Sequence, residues 1–344
     1  MFFAKELAGE PPLERQTAER LYSVGMDLLR RRFWTLMTED RLLALGEEEM
    51  LYLHATGVLG DFVSLSVYRG QEGLTFLNRV RRQEYRWAGE LLAEQSFLRL
   101  RYGFRSDIRR ADLKMLHTLG LPKGKVDIVP EFSSARPGYQ DWYINNDEGL
   151  VLAKALEIFD GFLVESEGID PMRFWPFAES CPWLRFGSDG LVRVQQVPLE
   201  TAALPKGNEG WTPPPDWPRP GMKRRGTWEL GYFYPLTPIG KDKERKWIPR
   251  LSLVLDAQNG KTLDHSLGLA TEPVLAALWS AMAGAVEKLG YLPRRLRVSD
   301  EASETMFRAL GFDVERPAEM PAFEMVRESM LRSMGDIRLD ESPF

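Results

Sequence analysis

The chain has 344 residues and a formal net charge of −5, and 44% of its residues are hydrophobic while 28% are charged. This length is too great for one typical domain, and the composition is that of a globular protein with buried cores, so two domains are expected. The net negative charge excludes a general electrostatic attraction to nucleic acid or to anionic membranes, although a local basic patch stays an alternative.

Cysteine and histidine are scarce in this sequence. The one cysteine, Cys181, excludes an internal disulfide and a multi-cysteine zinc site. The three histidines, His54, His117 and His265, are far apart and form no i, i+4 pair, so the usual zinc hydrolase pattern is absent as well. The first residues lack the long apolar segment of a signal peptide, and no apolar run approaches the ~20 residues of a membrane helix. We therefore expect a cytoplasmic protein and no membrane partner.

The first part of the chain alternates helices with short strands, which predicts an α+β domain over residues 1–165. Helices carry apolar residues at helical spacing, and strands alternate apolar and polar residues. The predicted elements are a helix over 13–37, strands over 50–57, 61–70 and 96–104, a helix over 106–120, a strand beginning at 126 and a helix over 148–165. One strand places Arg99 and Arg101 beside Phe97. Such a face can bind single-stranded nucleic acid, although a solvated sheet face is the commoner outcome.

Residues 166–226 are predicted to connect the two domains. A hairpin is expected over 183–198, with its turn at 188–190, and seven prolines follow between Pro198 and Pro220. Such a proline-rich segment cannot form a helix or a central strand. Trp211 and Trp217 lie within it and predict that it packs on a surface, while an aromatic groove for a ligand is the alternative.

The last third of the chain has a helix or strand boundary signal at nearly every turn, which predicts an α/β domain over 227–335 and a tail over 336–344. Asn259-Gly260 is the favoured pair for a tight hairpin turn, and Thr271 is the predicted cap of the long helix that follows. The predicted elements are strands over 227–235, 249–256 and 261–269, a helix over 272–289, a strand over 294–300, a helix over 301–311, a strand over 312–317 and a helix over 321–335.

The resulting order, β-β-β-α-β-α-β-α, predicts a mixed sheet, because a helical crossover after an antiparallel hairpin implies a parallel pairing. This order resembles the ribonuclease H-like fold. In that family, carboxylates at strand ends hold divalent metal ions that activate water. The resemblance implies Asp256 and Asp300 as candidate catalytic residues and metal ligands, with Glu229 as a further ligand and with Asp264 and Glu272 as partners. Two strand-end acids are expected to meet at the edge of the sheet.

Each of these acids also has a purely structural explanation. Asp256 opens an Asp-Ala-Gln-Asn-Gly turn, in which Asp is favoured for backbone reasons. Asp300 is a natural helix N-cap, which contributes ~1 kcal/mol. Glu229 stands where the ribonuclease H pattern has Asp. Asp264 and His265 could act as an acid–base pair, but no nucleophile motif accompanies them.

Both halves resemble domains of a family of uncharacterised bacterial proteins. In the first half the resemblance lies in GVLGDFVSLSVYRGQEGL, LHTLGL and the ARPGY segment, and in the second in LSLVLDAQNGKTLDHSLGL, LPRRLRVSD and ALGFDVERPAEMPAFEMVRESML. These segments span roughly residues 15 to 335 apart from the proline-rich connector. The resemblance implies no activity, so it assigns no functional residue.

The first function hypothesis is a non-enzymatic binding or accessory protein with no cofactor. Its partner stays unidentified: a protein is one candidate, and nucleic acid is the less favoured alternative. The hypothesis depends on the absence of a catalytic motif and on the aromatic residues near the connector. The alternative is a nuclease or phosphodiesterase that uses Mg²⁺ or Mn²⁺ at Asp256 and Asp300. Carboxylates within about 5 Å of each other would favour the enzyme, because paired metal ions sit ~3.5–4 Å apart. An Asp300 turned onto its own helix would favour the cap.

Overall fold

The structure is a computed structural model, and it describes residues 11–46, 49–57, 63–120, 128–176, 180–186, 192–199, 211–212, 214, 217, 221–241 and 244–335. The predicted turn at 188–190, the predicted tail at 336–344 and most of the proline-rich connector lie outside these ranges. Within them, no helix combines the length and the apolar character that crossing a membrane requires.

The N-terminal part of the chain forms a mixed α+β unit, as predicted. Its strands are β1 Leu42–Leu45, β2 Leu51–Thr56, β3 Ser64–Arg69, β4 Phe97–Phe104, β5 Ile128–Ala135, β6 Trp142–Tyr143, β7 Ser180–Phe186 and β8 Val192–Pro198. Its helices are α1 Arg15–Arg31, α2 Gly70–Arg81, α3 Ala88–Glu94, α4 Arg110–Thr118 and α5 Asn146–Glu165. The strand order is β6-β5-β4-β3-β2-β1-β7-β8, and each described pair is antiparallel except β1 with β7.

Helices cover both faces of this first sheet. α1 and α5 pack on one face through fully buried side chains such as Leu21 and Phe159. α2 packs on the other face, where Leu74 joins a smaller apolar cluster. Helix α5 begins with a capping box in which the Asn145 side chain accepts a hydrogen bond from the backbone N–H of Glu148. The asparagine-rich sequence before this helix is thus explained by its cap.

The hairpin that the sequence placed in the connector is part of the first sheet. β7 pairs in parallel with β1, with Ala44 opposite Trp183, and β8 extends the sheet beyond β7. Local turn signals predict a hairpin, but they do not indicate which strand it joins. The hairpin is paired with the first sheet. The limits of the two domains stay a prediction.

The C-terminal part has the predicted order β-β-β-α-β-α-β-α, so the mixed-sheet α/β prediction is confirmed. Its strands are β9 Arg224–Phe233, β10 Pro249–Asp256, β11 Thr262–Leu269, β12 Leu292–Val298 and β13 Val314–Glu315. Its helices are α6 Val274–Leu289, α7 Glu301–Ala309 and α8 Pro321–Ser333. The strand order is β11-β10-β9-β12-β13, in which β10 is antiparallel to β9 and to β11, while β12 is parallel to β9 and to β13.

The two faces of the second sheet are covered differently. α6 and α7 cover one face, where Trp228 and Leu230 of β9 point into the core. α8 covers the other face, where Phe323 packs with Phe233. Trp87, which comes from the first domain, is part of this second core. The two domains therefore share one buried apolar cluster.

The described tryptophans of the connector pack on the second domain. The Trp217 ring lies 4.8 Å from that of Trp279 and 6.5 Å from that of Phe312, measured between ring centroids. Trp211 lies 6.2 Å from Trp279. These contacts fit the interpretation of a connector that is fixed to a surface by its aromatic side chains.

Backbone hydrogen bonds also join the two domains. In the loop after β5, Gly138 accepts a bond of 2.7 Å from the N–H of Ile248, and Gln140 donates one of 2.9 Å to Lys246. Gly138 has a φ of +75°, and a side chain there would contact Thr271. The position therefore requires glycine for both its conformation and its close approach. We call this contact between residues 138–140 and 246–248 the domain seam.

Candidate functional site

The structure does not bring the two strand-end acids together. Asp256 lies opposite Trp228, and Val298 lies opposite Leu230, so Asp300 is level with Tyr232. Asp256 and Asp300 are therefore separated by four residues along the sheet, roughly 13 Å, and by two strand spacings across it. This separation follows from strand direction. β10 is antiparallel to β9 whereas β12 is parallel to it, so the carboxyl ends of β10 and β12 lie at opposite edges of the sheet.

Each of these two acids is held by its own backbone neighbours. Asp300 is the N-cap of α7, where its carboxylate accepts bonds from the Ser303 N–H at 2.9 Å and the Ser303 hydroxyl at 2.7 Å. Asp256 accepts a bond of 2.8 Å from the N–H of Gln258 within the hairpin turn. These are the cap and turn arrangements that the sequence offered as structural explanations.

Glu229 points to the face that α8 covers and is fully buried. It accepts a bond of 2.7 Å from the N–H of Phe323, in the first turn of α8, and lies 3.5 Å from the Arg297 guanidinium. A carboxylate at a helix N-terminus is favoured by the helix dipole. Tyr232 is the β9 residue at the level of Asp300, and its side chain lies on the α6 face of the sheet. Glu229 therefore lies on the opposite face and does not meet Asp300.

The remaining predicted acids are also engaged within the fold. Asp264 accepts a bond of 2.6 Å from Lys288, and this bond lowers its pKa although burial acts to raise it. His265 lies 4.0 Å from Asp264 with an exposed ring. Glu272 accepts a bond of 3.2 Å from the N–H of Leu269. Among the described residues, no three metal-ligating side chains form a group that could hold a metal ion.

The lone cysteine and the candidate nucleic-acid strand have structural explanations as well. Cys181 is fully buried, and burial raises the pKa of its thiol to about 12, so it is protonated at neutral pH. Arg99 forms an ion pair with Asp141, and Arg101 pairs with Glu131. Both guanidiniums on this strand are therefore already paired with carboxylates.

An open cleft of about 360 Å³ lies at the edge of the first domain where β1 begins. We call it the arginine cleft. Its walls come from the start of β1, the end of α2, the segment before β7 and the residue after β8. They are formed by Asp40, Arg41, Leu42, Arg81, Met172, Trp175, Ser180 and Leu199. A volume of this size lies in the range of ~300–1,000 Å³ that is typical of small-molecule sites.

Two guanidinium groups line the arginine cleft, and both are hydrogen-bonded to backbone oxygens. Arg41 lies over the Trp175 ring, 5.0 Å from its centroid, and donates to the backbone oxygen of Leu36. Arg81 donates to the backbone oxygen of Asp40 at 3.3 Å. Neither forms an ion pair with any residue that the structure describes. The Trp175 ring is fixed in turn by a bond of 2.9 Å from its indole N–H to the Leu42 oxygen.

One carboxylate, that of Asp40, also faces the cleft. A hydrogen bond from the Thr38 hydroxyl lowers the pKa of Asp40, and the charges of Arg41 and Arg81 lower it further. Asp40 is therefore ionised at neutral pH, and the described lining residues carry two positive charges against one negative charge. The excess of positive charge favours an anionic occupant.

A buried histidine lies beside the cleft. His54 is opposite Leu42 in the β1–β2 pair, and its Nε2 is 2.7 Å from the backbone oxygen of Glu39. Burial lowers the pKa of His54, and the positive charge of Arg81 adds to this effect. The imidazole is thus neutral at pH 7, with Nε2 as donor and with Nδ1 lacking a hydrogen-bond partner.

The arginine cleft could not be found from the sequence. Its residues come from four separate stretches of chain, and the parallel pairing of β1 with β7 is what brings them together. The available signal was weak: Asp40-Arg41 stand directly before a buried strand, and Arg81 ends a helix. Arginine forks bind phosphate or carboxylate groups in two-point contacts, and an indole offers an apolar wall.

Family comparison covers both domains and assigns no activity. Residues 19–160 match the family model of a domain of unknown function (DUF7309), and residues 220–331 match that of a second domain of unknown function (DUF6930). No curated protein matches the chain. The chain therefore carries two domains of uncharacterised families, as the resemblance predicted. All the cleft residues before Met172 lie within the first matched range.

Proposed function

We propose that this two-domain protein is a non-enzymatic binding or accessory protein that holds a small anionic ligand in the arginine cleft. The observation that carries the proposal is the pair of guanidiniums, Arg41 and Arg81, which face a ligand-sized opening and form no ion pair with a residue that the structure describes. A cytoplasmic, bacterial-type protein is part of the same proposal. The single cysteine supports a reducing compartment, since the chain can form no internal disulfide.

The ligand class follows from the walls of the cleft. Two guanidiniums favour a phosphate or carboxylate group with several oxygens, which can accept bonds from both forks. Trp175 and Leu42 add apolar surface beside the charges, and the exposed side chain of Met172 adds a flexible apolar rim. A phosphorylated or carboxylated small molecule with an apolar portion fits this combination.

Calorimetric titration with pyrophosphate tests the proposal, because this probe carries the charged group without the rest of a ligand. We expect one saturable site in the wild type and a loss of at least tenfold in affinity in Arg41→Ala/Arg81→Ala. The matched control is Arg15→Ala/Arg30→Ala, which removes the same charge from the exposed face of α1. Equal affinity in all three proteins, or none in the wild type, would refute the cleft as an anion site.

The alternative function is a Mg²⁺- or Mn²⁺-dependent nuclease or phosphodiesterase in the second domain. The strand order β11-β10-β9-β12-β13 supports a ribonuclease H-like fold, which stays a prediction. A manganese titration of the wild type and of Asp256→Asn/Asp300→Asn tests this function. Saturable binding that the double variant loses would support the enzyme. The separate structural roles of Asp256, Asp300 and Glu229 favour the binding protein instead.

A further inference from the structure

The segment before β1 presents a carboxylate in the arginine cleft. Asp40 lines the cleft and is exposed. Among the described residues, the Thr38 hydroxyl gives it a side-chain hydrogen bond, and no cation forms an ion pair with it. An ionised carboxylate has two oxygens that accept several hydrogen bonds, so Asp40 can accept further bonds from a ligand.

Hydrogen bonds hold this segment in place on both sides of Asp40. The Nε2 atom of His54 lies 2.7 Å from the backbone oxygen of Glu39. The backbone N–H of Arg41 donates to the backbone oxygen of Thr38 at 3.0 Å. The fold therefore positions the carboxylate, and ligand binding has less of this segment to order.

The two arginines of the cleft do not neutralise this carboxylate by direct contact. Arg41 donates to the backbone oxygen of Leu36. Arg81 donates to the backbone oxygen of Asp40 and not to its carboxylate. The hydrogen bond from Thr38 lowers the pKa of Asp40, and the charges of the two arginines lower it further, so both guanidiniums are near enough to act on it. The cleft thus presents both signs of charge to a ligand.

The balance of these charges limits what the cleft can bind. The other described lining residues are all uncharged: Leu42, Met172, Trp175, Ser180 and Leu199. Two guanidiniums and one carboxylate give the described lining a net charge of +1. A ligand with two negative charges alone would exceed this balance, and Asp40 would repel it.

An ammonium group on the same ligand removes the excess charge. It also turns the repulsion by Asp40 into an attraction, because an ammonium donates charge-assisted hydrogen bonds to a carboxylate. An uncharged hydroxyl could donate to Asp40 as well, but it would leave the excess negative charge in place. The charges of the cleft therefore favour an ammonium over a hydroxyl.

We propose that the ligand of the arginine cleft carries two negative charges and one ammonium group, with the ammonium bound by Asp40 and the anionic oxygens bound by Arg41 and Arg81. This inference rests on the proposed function of the cleft as an anion site, and it adds the residue that determines specificity. Phosphorylated amines and acidic amino acids share this chemistry, since each combines two negative charges with one ammonium at neutral pH. The apolar walls, Trp175 and Leu42, suit the carbon chain that joins the charged groups.

Two pairs of probes that differ by one ammonium test this ligand class by calorimetric titration of the full chain at neutral pH. The first pair is phosphoethanolamine and ethyl phosphate, and the second is L-glutamate and glutarate. We expect the ammonium-bearing member of one pair to bind roughly tenfold more tightly than the other member, because it adds a charge-assisted hydrogen bond. The pair that shows this preference identifies the source of the two negative charges.

The variant Asp40→Asn tests the role of Asp40. It keeps the size of the side chain and an oxygen for the Thr38 hydroxyl, but it loses the charge. The preference for the ammonium should disappear, while pyrophosphate should bind more tightly than to the wild type because a like charge is gone. The matched control is Asp107→Asn, which changes an exposed carboxylate outside the cleft that also accepts a bond from a neighbouring hydroxyl, that of Ser106. This control should bind every probe as the wild type does.

Titration with pyrophosphate separates a failure of the site from a failure of the ligand class. Absence of pyrophosphate binding by the wild type would refute the cleft as an anion site, and the ligand class with it. Pyrophosphate binding without an ammonium preference in either pair would overturn the ligand class alone. An ammonium preference that Asp40→Asn retains would overturn the role of Asp40.

Discussion

Two arginines, Arg109 in the first domain and Arg250 in the second, differ in their partners. Among the described residues, Arg109 forms ion pairs with carboxylates and Arg250 does not. In the first, Arg109 lies 2.8 Å from Asp112 and 2.6 Å from Glu131, and Arg101 pairs with the same glutamate. Two cations and two anions therefore compensate one another. In the second, Arg250 is more deeply buried, and its hydrogen-bond partners among the described residues are neutral. The difference teaches that a guanidinium within the fold is accommodated in two ways: by carboxylates at Arg109, and by backbone oxygens and a tyrosine hydroxyl at Arg250.

Removal of Arg109 should be the most damaging change in this comparison. Arg109→Met leaves Asp112 and Glu131 buried without their shared cation, and we expect a loss of ~3–5 kcal/mol in the free energy of unfolding. Urea denaturation measures it. The exposed neighbour Arg110, changed to Met, is the control and should lie within ~0.5 kcal/mol of the wild type. A similar small effect for both variants would contradict the structural role of the network.

The pH dependence of stability should sharpen the same contrast. Burial raises the pKa of Asp112 from 3.8 to about 6, so the folded state holds a proton that the unfolded state has lost between these two values. The free energy of unfolding should therefore fall as the pH rises through this window, by up to about 3 kcal/mol for this carboxyl group. Urea denaturation between pH 4 and 7 measures the fall, at roughly one-unit steps.

Two substitutions isolate the contribution of this carboxyl. Asp112→Asn cannot ionise, so the decline in stability between acid and neutral pH should be smaller than in the wild type. Asp107→Asn changes an exposed carboxyl close to the same helix and should leave the decline unaltered. A profile for Asp112→Asn that matches the wild type would assign the decline to other groups.

A smaller effect is expected at the cap of α7. Asp300→Ala removes the acceptor for the Ser303 N–H and should cost ~1 kcal/mol, whereas Asp300→Asn should keep most of this stability because asparagine caps equally well. Thermal unfolding of both variants is the measurement. A metal-binding Asp300 would behave differently: both variants would lose stabilisation by added manganese, and the wild type would show such stabilisation.

Substitution of the two arginines of the arginine cleft should have the smallest effect on stability. Arg41→Ala/Arg81→Ala removes two groups that form no ion pair with a described residue, so the free energy of unfolding should change by no more than ~0.5 kcal/mol per site while pyrophosphate affinity falls. Thermal unfolding without ligand checks the first half of this statement. A large destabilisation would mean that the two arginines serve the fold, as Arg109 does.

Local turn and cap signals in the sequence were enough to predict the order of strands and helices in the second domain. Gly290 and Gly311 adopt positive φ at helix ends, Asn259-Gly260 forms the hairpin turn, and Asp300 caps its helix, so the predicted order of elements is confirmed. The opposite placement of Asp256 and Asp300 follows from strand direction. A hairpin reverses the chain, so the carboxyl ends of its two strands lie at opposite edges of the sheet.

The features that the sequence did not predict, such as the arginine cleft, depend on contacts between distant parts of the chain. No turn or cap signal indicates that β7 joins β1, and this pairing forms the arginine cleft. Arg250 looked like an ordinary residue at the start of a strand, and its complete burial follows from α6 and from the segment at Ala270. Thr271 was the predicted cap, but α6 begins after Pro273, which has no side-chain group that can accept a capping bond.

A crystal structure of the full chain grown with tungstate, a heavy-atom mimic of phosphate, would test the central claim most directly. Anomalous scattering would locate each bound anion. We predict one peak between Arg41 and Arg81 in the arginine cleft and none at the balanced Arg109 network. Peaks confined to other surfaces, or a peak at Arg109 with the arginine cleft empty, would contradict the cleft as the anion site of this protein.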